Sequence, residues 1–195
     1  MTLAPAASNP GSSIIVVPDA GPLITLAFAD ALDLLLRPGW RVQIVDMVLH
    51  EVTRHATPMS EKIRSWVAQT PIPVLSTQTF RRHLAAQDAL GLIHGNAQPG
   101  TKARKAKLGE FAIQETMTSL ALSAPETKAV FLFEDYKIAR ASFLLPDNCR
   151  KFSTRAWLKF LERNKWIESA ADIERAAVVN GRNFSRLRFP ADGEA

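Results

Sequence analysis

The strongest constraint on the fold is the alternation of short apolar runs with longer helical patterns along the chain. The first run, residues 14–17, is continuous and rich in β-branched side chains, which is typical of a strand buried on both faces of a parallel sheet. Pro22 then favours the first turn of a helix. Alternating strands and helices are joined by right-handed crossovers that cover both faces of the sheet. The sequence therefore predicts an α/β fold, a three-layer α/β/α sandwich around a central parallel sheet.

The same patterns predict the individual elements and the division of the chain. We expect strands at 14–17, 41–45, 72–75, 129–133 and 150–152. We expect helices at 22–35, 47–55, 58–69, 80–93, 102–122, 136–144, 154–165 and 170–179. The predicted units are a flexible tail (1–12), a main domain (13–150) and a basic helical C-terminal extension packed on the same domain (151–195).

Composition excludes several classes of protein and permits a polyanionic partner. No apolar stretch approaches the length that spans a bilayer, and no basic segment precedes the first apolar run, so we expect a cytoplasmic protein without a membrane partner. The single cysteine, Cys149, excludes an internal disulfide. The net charge is +5, with ten basic and six acidic groups in residues 150–195 and four cations between Lys102 and Lys107. Each basic cluster is either a solvated face or a contact for phosphate.

Two aspartates follow predicted strands directly. Asp19 comes after the first strand and Asp135 after residues 129–133. Ligands of open parallel sheets bind outside the carboxyl ends of the strands, so both side chains are candidates for one site. The alternative for each is a helix N-cap, because aspartate is a favoured capping residue.

Two glutamates lie at the margin of apolar helix faces. Glu51 has Met47, Val48 and Val52 nearby, and Glu110 shares a face with apolar residues three and seven positions later. The alternative is a salt bridge or simple exposure, since a buried carboxylate needs a partner. Together with the strand-end aspartates, these acids indicate an anionic pocket. A hard divalent ion, Mg²⁺ or Mn²⁺, suits such an all-oxygen site.

Four segments carry a family resemblance. Residues 16–24 (VVPDAGPLI) resemble the opening of a PIN-domain ribonuclease, the fold of VapC-type toxins, in the form typical of a DAGPL subgroup. Residues 48–52 (VLHEV), 108–113 (LGEFAI) and 133–140 (FEDYKIAR) resemble the second, third and fourth motifs of the family. The motifs occur in the family's order and span roughly residues 14–145.

The resemblance implies a PIN-like fold and a metal-dependent hydrolysis of single-stranded RNA. It implies that the catalytic and metal-binding residues are Asp19, Glu51, Glu110 and Asp135. Arg104, Lys107 and Arg140 are the cations expected to contact RNA phosphates. It further suggests the toxin of a toxin–antitoxin pair, with an antitoxin protein as partner, and a homodimer to which Trp166 and Ile167 could contribute.

Several features depart from the family or stay open. Glu134 stands where the family usually has a small hydroxyl residue, so it could assist or replace Asp135. Residues 81–100 and the segment after Cys149 exceed a minimal PIN domain. A predicted helix at 154–165 has an aromatic stripe, expected in the core or a subunit contact, and a basic face (Arg155, Lys159 and Arg163) suited to RNA or to solvent. The alternative function is a catalytically inactive PIN-like module that binds RNA or protein.

Overall fold

The computed structural model of the chain describes residues 14–93, 108–134 and 145–183. The strands of this part are parallel throughout and form two hydrogen-bonded sheets. They are β1 (Ile14–Pro18), β2 (Arg41–Val42), β3 (Ile44–Val45), β4 (Val74–Leu75), β5 (Lys128–Phe133) and β6 (Cys149–Ser153).

The larger sheet has the order β2-β1-β5-β6, and β3 pairs with β4 beside it. Only Gln43 separates β2 from β3, and its amide donates a hydrogen bond of 2.9 Å to the carbonyl of Val16. One stretch of chain therefore pairs first with β1 and then with β4. In the centre, β1 and β5 run in register from Ile14 opposite Lys128 to Pro18 opposite Leu132.

Helices connect and cover these strands. They are α1 (Ala20–Phe28), α2 (Asp46–Thr53), α3 (Pro58–Gln69), α4 (Gln78–Ile93), α5 (Leu108–Ser123), α6 (Thr154–Arg163) and α7 (Ala170–Val179), with a 3-10 helix (Leu32–Leu35) after α1. The chain moves across the sheet in opposite directions from β1 to β2 and from β4 to β5. A parallel sheet whose strands alternate with helices is compatible with a three-layer sandwich.

The core lies around β1 and β5, as expected for strands buried on both faces. Val16, Val17 and Phe131 have no exposed surface, and Trp157 of α6 is equally buried. Phe160 stacks on Trp40 with ring centroids 5.4 Å apart. The aromatic stripe of α6 therefore packs into the core.

The predicted α/β class and the parallel central sheet are confirmed. Most boundaries agree within two residues, and two elements differ more. The helix expected at 22–35 ends at Phe28, because the chain turns at Asp30 with a positive φ of 55° and resumes as the 3-10 helix. The strand expected at 41–45 is divided at Gln43.

The predicted boundary at residue 150 lies within β6, which pairs with β5, and α7 of the C-terminal segment packs on α1. The tail at 1–12, the helix at 136–144 and the start of the helix at 102–122 lie outside the described residues.

Candidate functional site

The strand order reverses between β1 and β5, because the chain leaves β1 toward β2 and later crosses to β5 on the other side. In open parallel sheets such a reversal leaves a crevice outside the carboxyl ends of the two strands. Asp19 directly follows β1 there, and its amide donates a hydrogen bond of 2.9 Å to the carbonyl of Leu132. The first predicted site residue therefore lies at the reversal point of the sheet.

Asp19 is at the N-cap position of α1, with an extended backbone (φ −78°, ψ 175°). Its side chain accepts no capping hydrogen bond from the described amides of α1. A capping aspartate would instead accept a bond from the second or third residue of the helix. Asp19 therefore occupies the N-cap position without a side-chain capping bond to these amides, and its side chain is half-buried.

Glu51 and Glu110 lie on neighbouring helices, α2 and α5, which pack against each other. The amide of Gly109 donates a hydrogen bond to the Glu51 carboxylate, and the charge of Glu110 acts on the same carboxylate. Gly109 permits this approach, because a Cβ at that position would lie 2.8 Å from Oε2 of Glu51. The fold thus brings the second and third predicted acids together.

Burial raises the pKa of the Glu51 carboxyl above its ordinary value, and the negative charge of Glu110 adds to the effect. The Gly109 amide and the Arg54 guanidinium act in the opposite direction without cancelling it. A cation bound beside Glu51 would stabilise the charged form of this carboxylate. Carboxylate oxygens are also the donors that Mg²⁺ and Mn²⁺ prefer. The donor set of Glu51 and Glu110 therefore fits a hard divalent ion.

A cleft of about 460 Å³ opens beside Glu51, between α1, α2, α3 and the end of α7. Its walls are largely apolar, and the polar side chains Glu51, His55, Thr57 and Asn180 also line it. Ile24 of α1 lines the same cleft. The cleft therefore lies between the helix that follows Asp19 and the helix that carries Glu51.

Glu134, whose role the sequence left open, directly follows β5 and is buried. Its Oε1 accepts a hydrogen bond of 2.7 Å from the hydroxyl of Thr154. Its Oε2 accepts one of 2.6 Å from Nη2 of Arg182. Both carboxylate oxygens of Glu134 are therefore engaged within the fold.

Four predicted site residues, Asp135, Arg104, Lys107 and Arg140, lie outside the described residues. Within residues 14–93, 108–134 and 145–183, no group of three or more His, Cys, Asp or Glu side chains could hold a metal ion, so Asp19, Glu51 and Glu110 do not form such a group together. In the same part of the chain, no helix is long and apolar enough to cross a bilayer.

Two structural acids at the same end of the sheet were missed by the sequence reasoning. Asp46, buried directly after β3, accepts hydrogen bonds of 2.7 Å from the amide and the hydroxyl of Thr77. Glu115 of α5 accepts hydrogen bonds from the amides of Gln78 and Thr79, which open α4. Burial opposes ionisation of Glu115, but these bonds outweigh it and lower the pKa of the carboxyl. Asp46 was detectable, since it interrupts the apolar run at 44–48.

The basic face expected on α6 is largely engaged in ion pairs. Arg155 donates two hydrogen bonds of 2.7 Å to the carboxylate of Glu174. Lys159 pairs with Glu162 at 2.8 Å. Of this face, only Arg163 is exposed, so the face offers less positive charge to RNA than its sequence suggests.

Comparison with known proteins adds no assignment to this geometry. No family model matches the chain, and no protein of curated function matches it.

Proposed function

We propose that the chain is a divalent-metal-dependent endoribonuclease of the PIN type, acting on RNA in the cytoplasm as the toxin of a toxin–antitoxin pair. The four motifs in family order support this proposal, and so does an α/β fold with a central parallel sheet. The observation that carries it is the half-buried carboxylate of Glu51 beside Glu110, with its raised pKa.

In this proposal Asp19, Glu51, Glu110 and Asp135 hold Mg²⁺ or Mn²⁺. Such an ion lowers the pKa of a bound water and stabilises charge on the attacking and leaving oxygens of a phosphodiester. The Gly109 amide holds the Glu51 carboxylate by a hydrogen bond at α5, the helix that carries Glu110. Arg104, Lys107 and Arg140 contact the phosphates and counter the repulsion between the acidic site and RNA.

The direct test is cleavage of single-stranded RNA by the double variant Asp19→Asn with Asp135→Asn. We expect the wild type to cleave RNA in Mg²⁺ and to lose activity in EDTA, and the folded double variant to be inactive. Asp88→Asn with Asp147→Asn, at two exposed positions, is the matched control and retains activity. A folded double variant as active as the wild type would rule out the proposed site.

The alternative is a catalytically inactive PIN-like module that binds RNA or protein, and the largely apolar cleft beside Glu51 favours a protein partner. Such a module would show no metal-dependent cleavage, and EDTA would leave its binding unchanged. Co-purification of a small partner chain would support the antitoxin proposal. Trp166 and Ile167 offer little free surface for the proposed homodimer contact, because both are partly buried and pack against the core.

A further inference from the structure

Arg182 lies three residues after the end of α7 and forms hydrogen bonds with two segments. Each segment is next in the sequence to a proposed site acid. Nε of Arg182 donates a hydrogen bond of 2.8 Å to the hydroxyl of Thr25 in α1. Its Nη2 donates to Oε2 of Glu134 at 2.6 Å and approaches the carbonyl of Gly21 at 3.5 Å. The guanidinium thus connects the first turns of α1, through hydrogen bonds, with Glu134, the residue that follows β5.

The ion pair between Arg182 and Glu134 is shielded from solvent, with the side chains 13% and 3% exposed respectively. The contact between α1 and Glu134 is close, since a Cβ at Gly21 would lie 2.7 Å from the Cβ of Glu134. On its other side, Thr154 of α6 holds Oε1 of Glu134. The Glu134 carboxylate is therefore fixed from two directions.

A buried ion pair adds little net stability compared with apolar packing, and in some proteins its role is instead to specify one arrangement of the elements it joins. Here those elements are α1, which Asp19 directly precedes, and the end of β5, where Asp135 follows Glu134 in the chain. We propose that Arg182, Glu134 and Thr154 form a positioning network that holds α1, and with it Asp19, at the carboxyl end of β5 in the arrangement needed to bind one divalent ion. This inference rests on the proposed nuclease function.

The test compares conservative variants of the full chain. Arg182→Lys keeps the charge, but a single ammonium cannot reproduce the guanidinium fork between Thr25 and Glu134. Thr154→Val removes the hydroxyl, whereas Thr154→Ser retains it. The readouts are Mn²⁺ affinity by electron paramagnetic resonance, kcat and KM for RNA cleavage in Mn²⁺, and Tm.

We expect Arg182→Lys and Thr154→Val each to lower Mn²⁺ affinity by about tenfold or more, as replacement of groups that orient metal ligands commonly does. We also expect a lower kcat with little change in KM, and near-wild-type values for Thr154→Ser. The matched control is Arg155→Lys, which disrupts another two-bond arginine–glutamate pair, with Glu174, and should lower Tm without changing Mn²⁺ affinity.

The outcomes separate the inference from the function. If the wild type binds Mn²⁺ and cleaves RNA but Arg182→Lys and Thr154→Val do the same, the inference is overturned and the function stands. The inference is also overturned if Arg155→Lys weakens Mn²⁺ binding as strongly as Arg182→Lys. If the wild type neither binds Mn²⁺ nor cleaves RNA, the proposed function is overturned together with the inference.

Discussion

Gly109 and Glu51 are in direct contact: the Gly109 amide donates a hydrogen bond to the Glu51 carboxylate, and a Cβ at position 109 would lie 2.8 Å from its Oε2. Glycine permits this contact at the start of α5 in two ways. Its amide is one of the first-turn donors that a helix leaves without an internal partner. Its missing side chain lets a carboxylate approach that amide closely.

Gly109→Ala tests this contact. Alanine favours a helix by about 1 kcal/mol over glycine, and the carboxylate it displaces is the mobile end of a side chain. We therefore expect the free energy of unfolding to change by less than about 1 kcal/mol, while Mn²⁺ affinity falls by about tenfold or more. Urea denaturation and Mn²⁺ titration measure the two quantities. Unchanged Mn²⁺ affinity would show that the position of the Glu51 carboxylate does not matter for the ion.

The raised pKa of Glu51 predicts a pH dependence of stability. The folded state binds the proton of Glu51 more tightly than the unfolded state does, so its ionisation opposes folding. Without a divalent ion, its contribution lowers the free energy of unfolding as pH rises from the ordinary value of 4.5 to the raised pKa, and is constant above that.

Glu51→Gln removes this pH-dependent contribution. The free energy of unfolding of the variant and of the wild type is measured by urea denaturation between pH 4 and 7.5. We expect the variant to gain stability relative to the wild type as pH rises, and Mg²⁺ to reduce the difference. Glu126→Gln, at an exposed position, is the control. Parallel stability curves for Glu51→Gln and the wild type would contradict a raised pKa at Glu51.

Thr77 is expected to serve the fold and not the site. Its hydroxyl donates to Asp46 and accepts a hydrogen bond of 3.1 Å from the amide of Phe80 in the first turn of α4. Thr77→Val should lower the free energy of unfolding by about 1–3 kcal/mol, because it leaves buried polar groups unpaired, and Thr77→Ser should restore most of it. The RNA cleavage rate of the folded variants should equal that of the wild type. A selective loss of cleavage in Thr77→Val would instead connect Thr77 with the site.

The proposed phosphate contacts predict a salt dependence of RNA binding. Each contact contributes about 0.7 to the slope of log K against log salt for single strands, so replacing Arg104, Lys107 and Arg140 with alanine should reduce the slope by about 2. In the control variant, Arg37, Arg41 and Lys128 are replaced with alanine, which removes the same charge at the amino ends of β2 and β5, where these three cations are exposed. Equal slopes in the two triple variants would exclude the specific contacts.

Much of the fold was predictable because local patterns determine it. The buried run that forms β1 and the proline that opens α3 at Pro58 specify their elements within a few residues. The end of α1 was missed because apolar residues continue through Leu32–Leu35, so periodicity alone does not register the turn at Asp30. The division of the strand at Gln43 was missed because it depends on tertiary structure: β2 pairs with β1, whereas β3 pairs with β4.

The candidate site was only partly predictable for a similar reason. Glu51 and Glu110 were detectable as acids at the margins of apolar helix faces, and the fold brings them together. The partner of Glu134 was not detectable, because Arg182 lies 48 residues away and only the packing of α7 on α1 brings it near. Local sequence patterns thus identified candidate acids but not the ion pair that engages Glu134.

Crystals of the full chain soaked in Mn²⁺ provide the most direct measurement of the central claim. The account predicts an anomalous difference peak bounded by oxygens of Asp19 and Asp135, with Glu51 and Glu110 facing it directly or through water. The peak should be absent in crystals of Asp19→Asn with Asp135→Asn. Well-ordered wild-type crystals with no peak at the carboxyl ends of β1 and β5, or with these four acids turned toward separate regions, would contradict the nuclease proposal.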